Sequence, residues 1–264
     1  MANPGKLYEW VEALPEGGRY VFSRTEVEDL TNTSDTAIKM TLFRLKRSGA
    51  IINPRRDFYV VVPREYRSAG SPPASWFIDD LMRHLGRRYY VALLSASALH
   101  GAGHQQPMAF QVIVDAAERD MVVGRVRIEF HRSNRIKGAA TERIRTETGS
   151  MVASTPETTA FDIVRFPAAC GFWSNIATIL SELAEKIDAD KLAAGAVRVA
   201  RSDVQRLGWL LDFIGESELA DALTGILEGE RLQPTPLSTK RTSDKAVLDP
   251  RWRILVNDDV EPDL

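Results

Sequence analysis

The sequence contains a single cysteine, Cys170, among its 264 residues. One thiol excludes an intramolecular disulfide framework, and it excludes zinc or iron–sulfur sites that need several cysteines from one chain. Because Cys170 lies among small residues in the segment 167–172, we expect a half-buried loop position and no reactive thiol. The sequence therefore predicts neither a metal site nor a cofactor.

The sequence also lacks a long hydrophobic run. The longest uncharged stretch, 89–114, contains histidine, glutamine and proline, so it predicts a helix, a turn and a strand instead of a membrane span. The N-terminus MANPGKLYEWVE carries charges where a secretory signal would have its apolar core. We therefore expect a cytoplasmic protein with no membrane partner.

An excess of one charge sign is absent as well, since 34 basic and 36 acidic residues give a net charge of -2. The 44% apolar content is typical of a globular chain, and the length favours two domains. The charges are segregated, however. Residues 1–35 carry a net charge of -4, residues 36–67 carry +6 and residues 119–145 carry +5. Local basic surfaces keep nucleic acid among the candidate partners.

Three helical signals and two β-branched runs follow one another in the first seventy residues. Ser23 and Glu26 match the capping box of a short second helix. A third helix of about fourteen residues is expected to end at Gly49, since glycine adopts the left-handed conformation of a helix terminus. The β-branched runs on either side of the turn 53–57 predict a hairpin. We expect a winged helix-turn-helix domain in residues 1–67.

The predicted third helix has an apolar and a basic face when projected at 100° per residue. Ile38, Leu42 and Leu45 form the core stripe. The other face would enter the major groove of DNA, and the hairpin tip would contact phosphates or the minor groove. The predicted DNA-binding residues are Ser34, Thr36, Lys39, Met40, Phe43, Arg44 and Arg47 from the helix, with Arg55 and Arg56 from the hairpin tip.

Two alternatives to this interface remain open from the sequence. Winged helices also bind proteins with the same packing, although basic residues at both the helix and the tip favour DNA. Met40 and Phe43 could be partly buried against the wing instead of facing bases.

The small-residue segment 68–74 predicts the domain boundary. Beyond it we expect a helix around Leu81, a buried central helix over Tyr89–Leu99, strands at 110–114 and 126–130, and a strand pair around 146–150. Successive helices are expected at 156–165, 172–187, 189–200, 203–214 and 217–227. The predicted class is α+β, with an α/β C-terminal domain at 75–231 that combines a small sheet with a helical C-terminal half. The tail, 232–264, is expected to be extended or partly disordered.

Two runs in this second part resemble a known family. Tyr89–Gly101 reads YYVALLSASALHG, and Val152–Val164 reads VASTPETTAFDIV, close to an SxPExTxxDLV-like pattern. Together with the winged-helix start they resemble the AbiEi-type antitoxins of abortive-infection (type IV) toxin–antitoxin pairs, over residues 1 to about 225. The resemblance implies that the N-terminal domain binds inverted repeats in its own promoter. It also implies that the C-terminal domain counters a nucleotidyltransferase-like toxin, directly or indirectly.

Serine nucleophiles are not supported by the sequence context. Ser97 and His100 lie on one helical face, but no G-x-S-x-G elbow surrounds Ser95 or Ser97, so close helix packing explains both serines better. His100 and His104 lack a third metal ligand and are predicted to be loop residues.

A metal-dependent nuclease is a second alternative. Asp115 ends a predicted strand, and Glu129 lies in the next one, but His131 occupies the position where such nucleases have lysine. A structural role at the sheet rim is favoured. Glu157 and Asp162 are expected to cap or orient a helix that begins at Pro156.

The basic segment 119–145 is either a second surface for nucleic acid or an acidic partner, or a solvated strand face. Its residues are Arg125, Arg127, Arg132, Arg135 and Lys137. The leading hypothesis is a DNA-binding autorepressor and antitoxin without catalytic activity. The rivals are a metal-dependent nuclease addressed by the winged helix and a one-component regulator that senses a small ligand.

Overall fold

The computed structural model describes residues 4–31, 33–103, 107–227 and 232–262. These ranges contain ten α-helices and three β-sheets, which confirms the mixed α+β class. None of the helices in these ranges is long and apolar enough to cross a lipid bilayer.

The N-terminal unit consists of three helices and a three-stranded antiparallel sheet of order β1-β3-β2. Its elements are α1 (Pro4–Ala13), β1 (Val21–Ser23), α2 (Arg24–Leu30), α3 (Asp35–Arg47), β2 (Ile51–Arg55) and β3 (Phe58–Val61). Ser23 and Glu26 form the predicted capping box of α2. Ile38, Leu42 and Leu45 of α3 are buried in the core of this unit, as predicted.

The hairpin of this unit is tighter than the sequence predicts. Strand β2 continues to Arg55, which pairs with Phe58, so that Arg56 and Asp57 alone form the tip. The side-chain amide of Asn53 donates to the carbonyl oxygens of Arg55 and Phe58 at 2.5 and 2.7 Å. These bonds bridge the irregular register of β2 and extend the hairpin into the segment that the sequence predicts as a turn.

The connection between the two units is packed and not a free linker. The Arg125 amide donates to the Ala69 carbonyl at 2.8 Å, and a Cβ on Gly124 would lie 2.3 Å from that same oxygen. Phe58 of the N-terminal hairpin shares one apolar cluster with Phe77 of the second unit. The two units therefore form one continuous interior across the predicted boundary.

The second unit is built on a six-stranded sheet of order β6-β7-β5-β4-β9-β8, which is larger than the small sheet predicted. Its strands are β4 (Tyr89–Val91), β5 (Phe110–Val114), β6 (Met121–Val123), β7 (Val126–Arg132), β8 (Thr141–Thr146) and β9 (Gly149–Ser154). Strand β5 is parallel to β7, and β4 is parallel to β9. The prediction of one helix over Tyr89–Leu99 is wrong at its start, because Tyr89–Val91 is an inner strand.

Helices cover this sheet on both faces. Helix α4 (Ile78–His84) packs in the cluster shared with the N-terminal unit. The larger core on the other face includes residues from α5 (Leu93–Leu99), α6 (Pro156–Arg165), α7 (Phe172–Leu183), α8 (Ala189–Ala196), α9 (Arg201–Phe213) and α10 (Ser217–Leu227). Helices α6 and α10 have the predicted bounds, while α7 and α8 end earlier.

The C-terminal segment packs against these helices. Strands β10 (Thr235–Pro236), β11 (Val247–Leu248) and β12 (Ile254–Val256) form a small sheet of order β10-β12-β11. Trp252, 1% exposed, lies on Gly208 of α9, and its indole Nε1 donates to Asp212 at 2.6 Å. Apart from these short strands, the described residues 232–262 have no helix or longer strand, and the expectation of an extended or partly disordered tail stays a prediction.

Candidate nucleic-acid interface

The outward face of α3 is exposed along its whole length. Ser34 caps the helix, since its hydroxyl oxygen accepts a hydrogen bond from the Ala37 amide at 3.4 Å. Met40 is 48% exposed and Phe43 is 57% exposed, so neither is buried against the wing. The other exposed side chains of this face are Thr36, Lys39, Arg44 and Arg47.

The cations of this face differ in their partners. Lys39 Nζ lies 2.6 Å from Oδ2 of Asp35, one turn earlier in the helix. The hydrogen bond from Lys39 is the largest cause of the lowered pKa of the Asp35 carboxyl group. Arg44 and Arg47 have no carboxylate within salt-bridge distance among the described residues. Two unpaired guanidinium groups and two exposed apolar side chains thus share one helix face.

The two arginines at the hairpin tip have opposite surroundings. The Arg56 side chain is 94% exposed beside Asp57. The Arg55 side chain is 19% exposed, and its Nε and Nη2 atoms donate to the Glu118 carboxylate at 3.2 and 3.0 Å. Its guanidinium also lies 5.9 Å from the Phe130 ring centroid. Arg55 therefore joins the hairpin to the second unit, and Arg56 is the solvent-exposed arginine of the predicted pair, with its Nε 3.2 Å from Asp57 Oδ2.

The predicted second basic surface is divided by the sheet. Arg127 and Arg132 are separated by five positions in β7, and side chains alternate along a strand, so these two face opposite sides. Arg135 is half-buried and lies 3.3 Å from Asp203. Exposed positions in this segment are Arg125, Arg127, Arg132 and Lys137.

The candidate nuclease residues are not brought together. Glu129 lies opposite Gln111 in the parallel β5–β7 pair, and Asp115 follows four positions later, about 13 Å further along the strand direction. The described residues contain no group of three or more histidine, cysteine, aspartate or glutamate side chains placed to hold a metal ion. His131 is half-buried beside Phe166, and burial lowers its pKa.

The serine and cysteine candidates are engaged in packing. The Ser97 hydroxyl is buried and donates to the Leu93 carbonyl at 3.0 Å, and Ser95 accepts from the Gln111 amide at 2.9 Å. The His100 ring Nε2 lies 2.8 Å from the Ser154 carbonyl. Cys170 is fully buried instead of half-buried, and burial raises the pKa of its thiol. His104 lies outside the described residues.

A cavity of about 240 Å³ opens in the second unit beside the start of α6. Thr155 caps this helix, since its hydroxyl oxygen accepts a hydrogen bond from the Thr158 amide at 3.4 Å. The Tyr90 hydroxyl donates to Asp162 Oδ2 at 3.0 Å inside the cavity, and burial raises the pKa of Asp162 to about 7.

Sequence reasoning assigned Glu157 and Asp162 to the helix end but did not find the cavity. Three of its cations, Arg165, Lys191 and Arg198, come from separate parts of the chain. The short-range signal was the spacing of Asp162 and Arg165, which places both on one helix face.

The segment that contains this cavity matches a known family. Residues 90–213 match the family model described as the AbiEi antitoxin C-terminal domain. Residues 90–213, just under half of the chain, are therefore similar to the C-terminal domain of the AbiEi antitoxins. The match confirms the resemblance found in the sequence, and it supports an antitoxin role in a toxin–antitoxin system. The AbiEi antitoxin family is not a known enzyme family.

The fold of the chain is also found in a solved structure. The crystal structure of the RV2827C protein from Mycobacterium tuberculosis matches with a TM-score of 0.70 at 17% sequence identity, covering 95% of this chain and 91% of that one. At this identity the likeness concerns the fold alone. No curated protein matches the sequence.

Proposed function

We propose that this protein is an antitoxin that represses its own toxin–antitoxin operon by binding inverted-repeat operator DNA. The N-terminal unit acts as a winged helix-turn-helix, with α3 as the recognition helix. The observation that supports this is the outward face of α3, where Met40 and Phe43 are exposed beside Arg44 and Arg47, two arginines without a salt bridge to any described residue. A face that only needed solvation would have little use for the two large apolar side chains.

In the proposed complex α3 lies in the major groove. Thr36, Met40 and Phe43 face the bases, where apolar side chains can contact thymine methyl groups. Lys39, Arg44 and Arg47 contact phosphates, which fixes the position of the helix without reading sequence. Arg56 extends from the hairpin tip to the backbone or minor groove. Arg55 does not contact DNA in this complex, but its ion pair with Glu118 holds the hairpin against the second unit.

The second unit, in this proposal, counters a nucleotidyltransferase-like toxin in a phage-defence system, directly or indirectly. The AbiEi domain supports the antitoxin part of this role. Co-expression of the protein with a toxin encoded beside it tests this part: growth should be rescued by the full chain, and rescue should survive substitutions on α3. Loss of rescue in every α3 variant would contradict the division of roles between the units.

DNA binding is tested by fluorescence anisotropy with a duplex from the protein's own promoter, measured at several salt concentrations. Arg47→Ala should weaken binding to all duplexes and reduce the salt slope by about 0.9, since one phosphate contact is lost. Phe43→Ala should instead reduce the preference for the promoter over an unrelated duplex. Lys245→Ala is the matched control, because this lysine is exposed and lies in the C-terminal segment, outside the N-terminal unit.

The proposal fails if Arg44→Ala and Arg47→Ala both bind with the native affinity and the native salt slope. It also fails if Lys245→Ala weakens binding as much as they do, because the interface would then lie elsewhere.

A further inference from the structure

The cavity in the AbiEi domain has the size of a small-molecule site. Its volume is about 240 Å³. Ligand pockets commonly measure about 300–1,000 Å³, so this cavity is slightly smaller than that range, and a ligand would extend in part from its mouth. Its walls include the aromatic rings of Tyr90 and Phe161, together with alanines on either side.

Three cations that line this cavity form no salt bridge with the described residues. Lys191 and Arg198 are exposed and therefore lie at its mouth, while Arg165 is half-buried. Arg165 is held in place by a 3.0 Å hydrogen bond to Ser133 and by the Phe166 ring, 5.3 Å away. Within the described part of the chain, none of the three has a carboxylate at salt-bridge distance. The N-terminal end of α6 opens on the same cavity and adds positive potential.

The interior of the cavity is lined by acidic side chains. Glu157, Asp162 and Asp203 line it, and all three are buried. Each has one protein partner or more: Tyr90 donates to Oδ2 of Asp162, and the Asp188 amide donates to Glu157 at 3.1 Å. A carboxylate offers about four acceptor positions, so these groups can accept further hydrogen bonds from a ligand.

We propose that the cavity binds a mononucleotide, with its phosphate at the mouth against Lys191, Arg198 and Arg165, and its sugar and base inside. The mouth provides positive charge for the phosphate, and the buried carboxylates accept hydrogen bonds from ribose hydroxyl and base amino groups. The aromatic walls pack against the base. A free phosphate ion would contact the cations but neither the carboxylates nor the aromatic walls. A dinucleotide is too large for the cavity volume. The site does not depend on DNA binding by α3.

Thermal unfolding and isothermal titration calorimetry of the full chain test this site. The probes are AMP, GMP, CMP and UMP, the four nucleosides, and inorganic phosphate. At least one mononucleotide should raise the melting temperature, and it should do so more than its nucleoside or phosphate alone, because a ligand that binds the folded state stabilises it. Lys191→Ala and Arg198→Ala should each weaken binding about tenfold, the cost of one lost hydrogen bond to a charged group.

Controls separate a local effect from a change in overall charge. Lys186→Ala removes an exposed lysine outside the cavity lining and should leave the affinity unchanged. Lys191→Arg keeps the charge and should recover most of the affinity. The proposal is overturned if no mononucleotide binds at millimolar concentration, or if inorganic phosphate binds as well as the best mononucleotide. It is also overturned if Lys191→Ala and Arg198→Ala both bind as tightly as the native protein.

Discussion

The contact between Gly208 and Trp252 allows a quantitative test of how the C-terminal segment is held. Gly208 lies inside α9, and a Cβ built there would be 2.2 to 2.4 Å from three atoms of the Trp252 ring. Non-bonded carbon atoms prefer separations of about 3.5–4.0 Å, so Gly208→Ala forces the ring to move by more than 1 Å.

Two effects of opposite sign determine the result of this substitution. Alanine is favoured over glycine inside a helix by about 0.8–1 kcal/mol. Overpacking a filled core costs roughly 1–3 kcal/mol. We expect the second effect to win, with a net loss of about 1–2 kcal/mol in the free energy of unfolding. In a Trp252→Leu background the colliding ring atoms are gone, so Gly208→Ala should become stabilising by up to about 1 kcal/mol.

The assay is urea unfolding followed by far-UV circular dichroism, which does not rely on the fluorescence of the tryptophan being replaced. The four proteins of the cycle are the native chain, Gly208→Ala, Trp252→Leu and the double variant. Gly225→Ala is the matched control, because this glycine is exposed in α10 and a Cβ there meets nothing within 4 Å. It should stabilise the protein by up to about 1 kcal/mol in either background.

Two results would refute the reasoning. One is that Gly208→Ala behaves like Gly225→Ala in the native background, which would mean that Trp252 does not fill this site. The other is that Gly208→Ala destabilises equally in the presence of Trp252 and of leucine, which would place the strain somewhere other than the ring.

Three further predictions concern the interior. Burial raises the pKa of Asp162 from 3.8 to about 7, so between these pH values the folded state holds a proton that the unfolded chain releases. The free energy of unfolding should therefore fall as the pH rises from about 4 to 7. Asp162→Asn should flatten this pH dependence of the urea midpoint. Gly124→Ala should lower the melting temperature, because its Cβ would collide with backbone at a φ of +57°, while Gly17→Ala, with open space, should not. Arg55→Ala and Glu118→Ala should couple by about 0.5–3 kcal/mol in a double-mutant cycle.

Each of these has a distinct contrary result. An unchanged pH profile in Asp162→Asn would show that another group titrates between pH 4 and 7. Equal melting temperatures for the variants at Gly124 and Gly17 would mean that Gly124 is not closely packed against Ala69 and Gly70. Additive effects at Arg55 and Glu118 would mean that this ion pair contributes nothing to the joint.

Local signals predicted the parts of the fold that depend on neighbouring residues. The capping box at Ser23 and the bounds of α6 and α10 follow from short-range rules, and the structure has all three. The strand at Tyr89–Val91 was missed because an apolar run can be a buried strand or a buried helix, and periodicity does not separate the two.

Contacts between distant residues account for what the sequence could not predict. Arg55 was expected at DNA on the strength of its charge and its position near a turn, yet its partner, Glu118, lies 63 residues away. The packing of the C-terminal segment also depends on a pair of distant residues, because Trp252 packs on Gly208 of α9. The basic face of α3 was predictable because its cations repeat along one helix, whereas the cations of the cavity in the second unit come from separate segments.

The packing of residues 69 and 70 on Gly124 also limits how the two units can rotate relative to each other. Ala69 and Gly70 press backbone to backbone on Gly124, and Arg55 joins the hairpin to Glu118 some distance away. Because the two units are joined at two separate places, one unit cannot rotate about a single connection relative to the other. We therefore expect a rotation of the second unit to turn α3 with it.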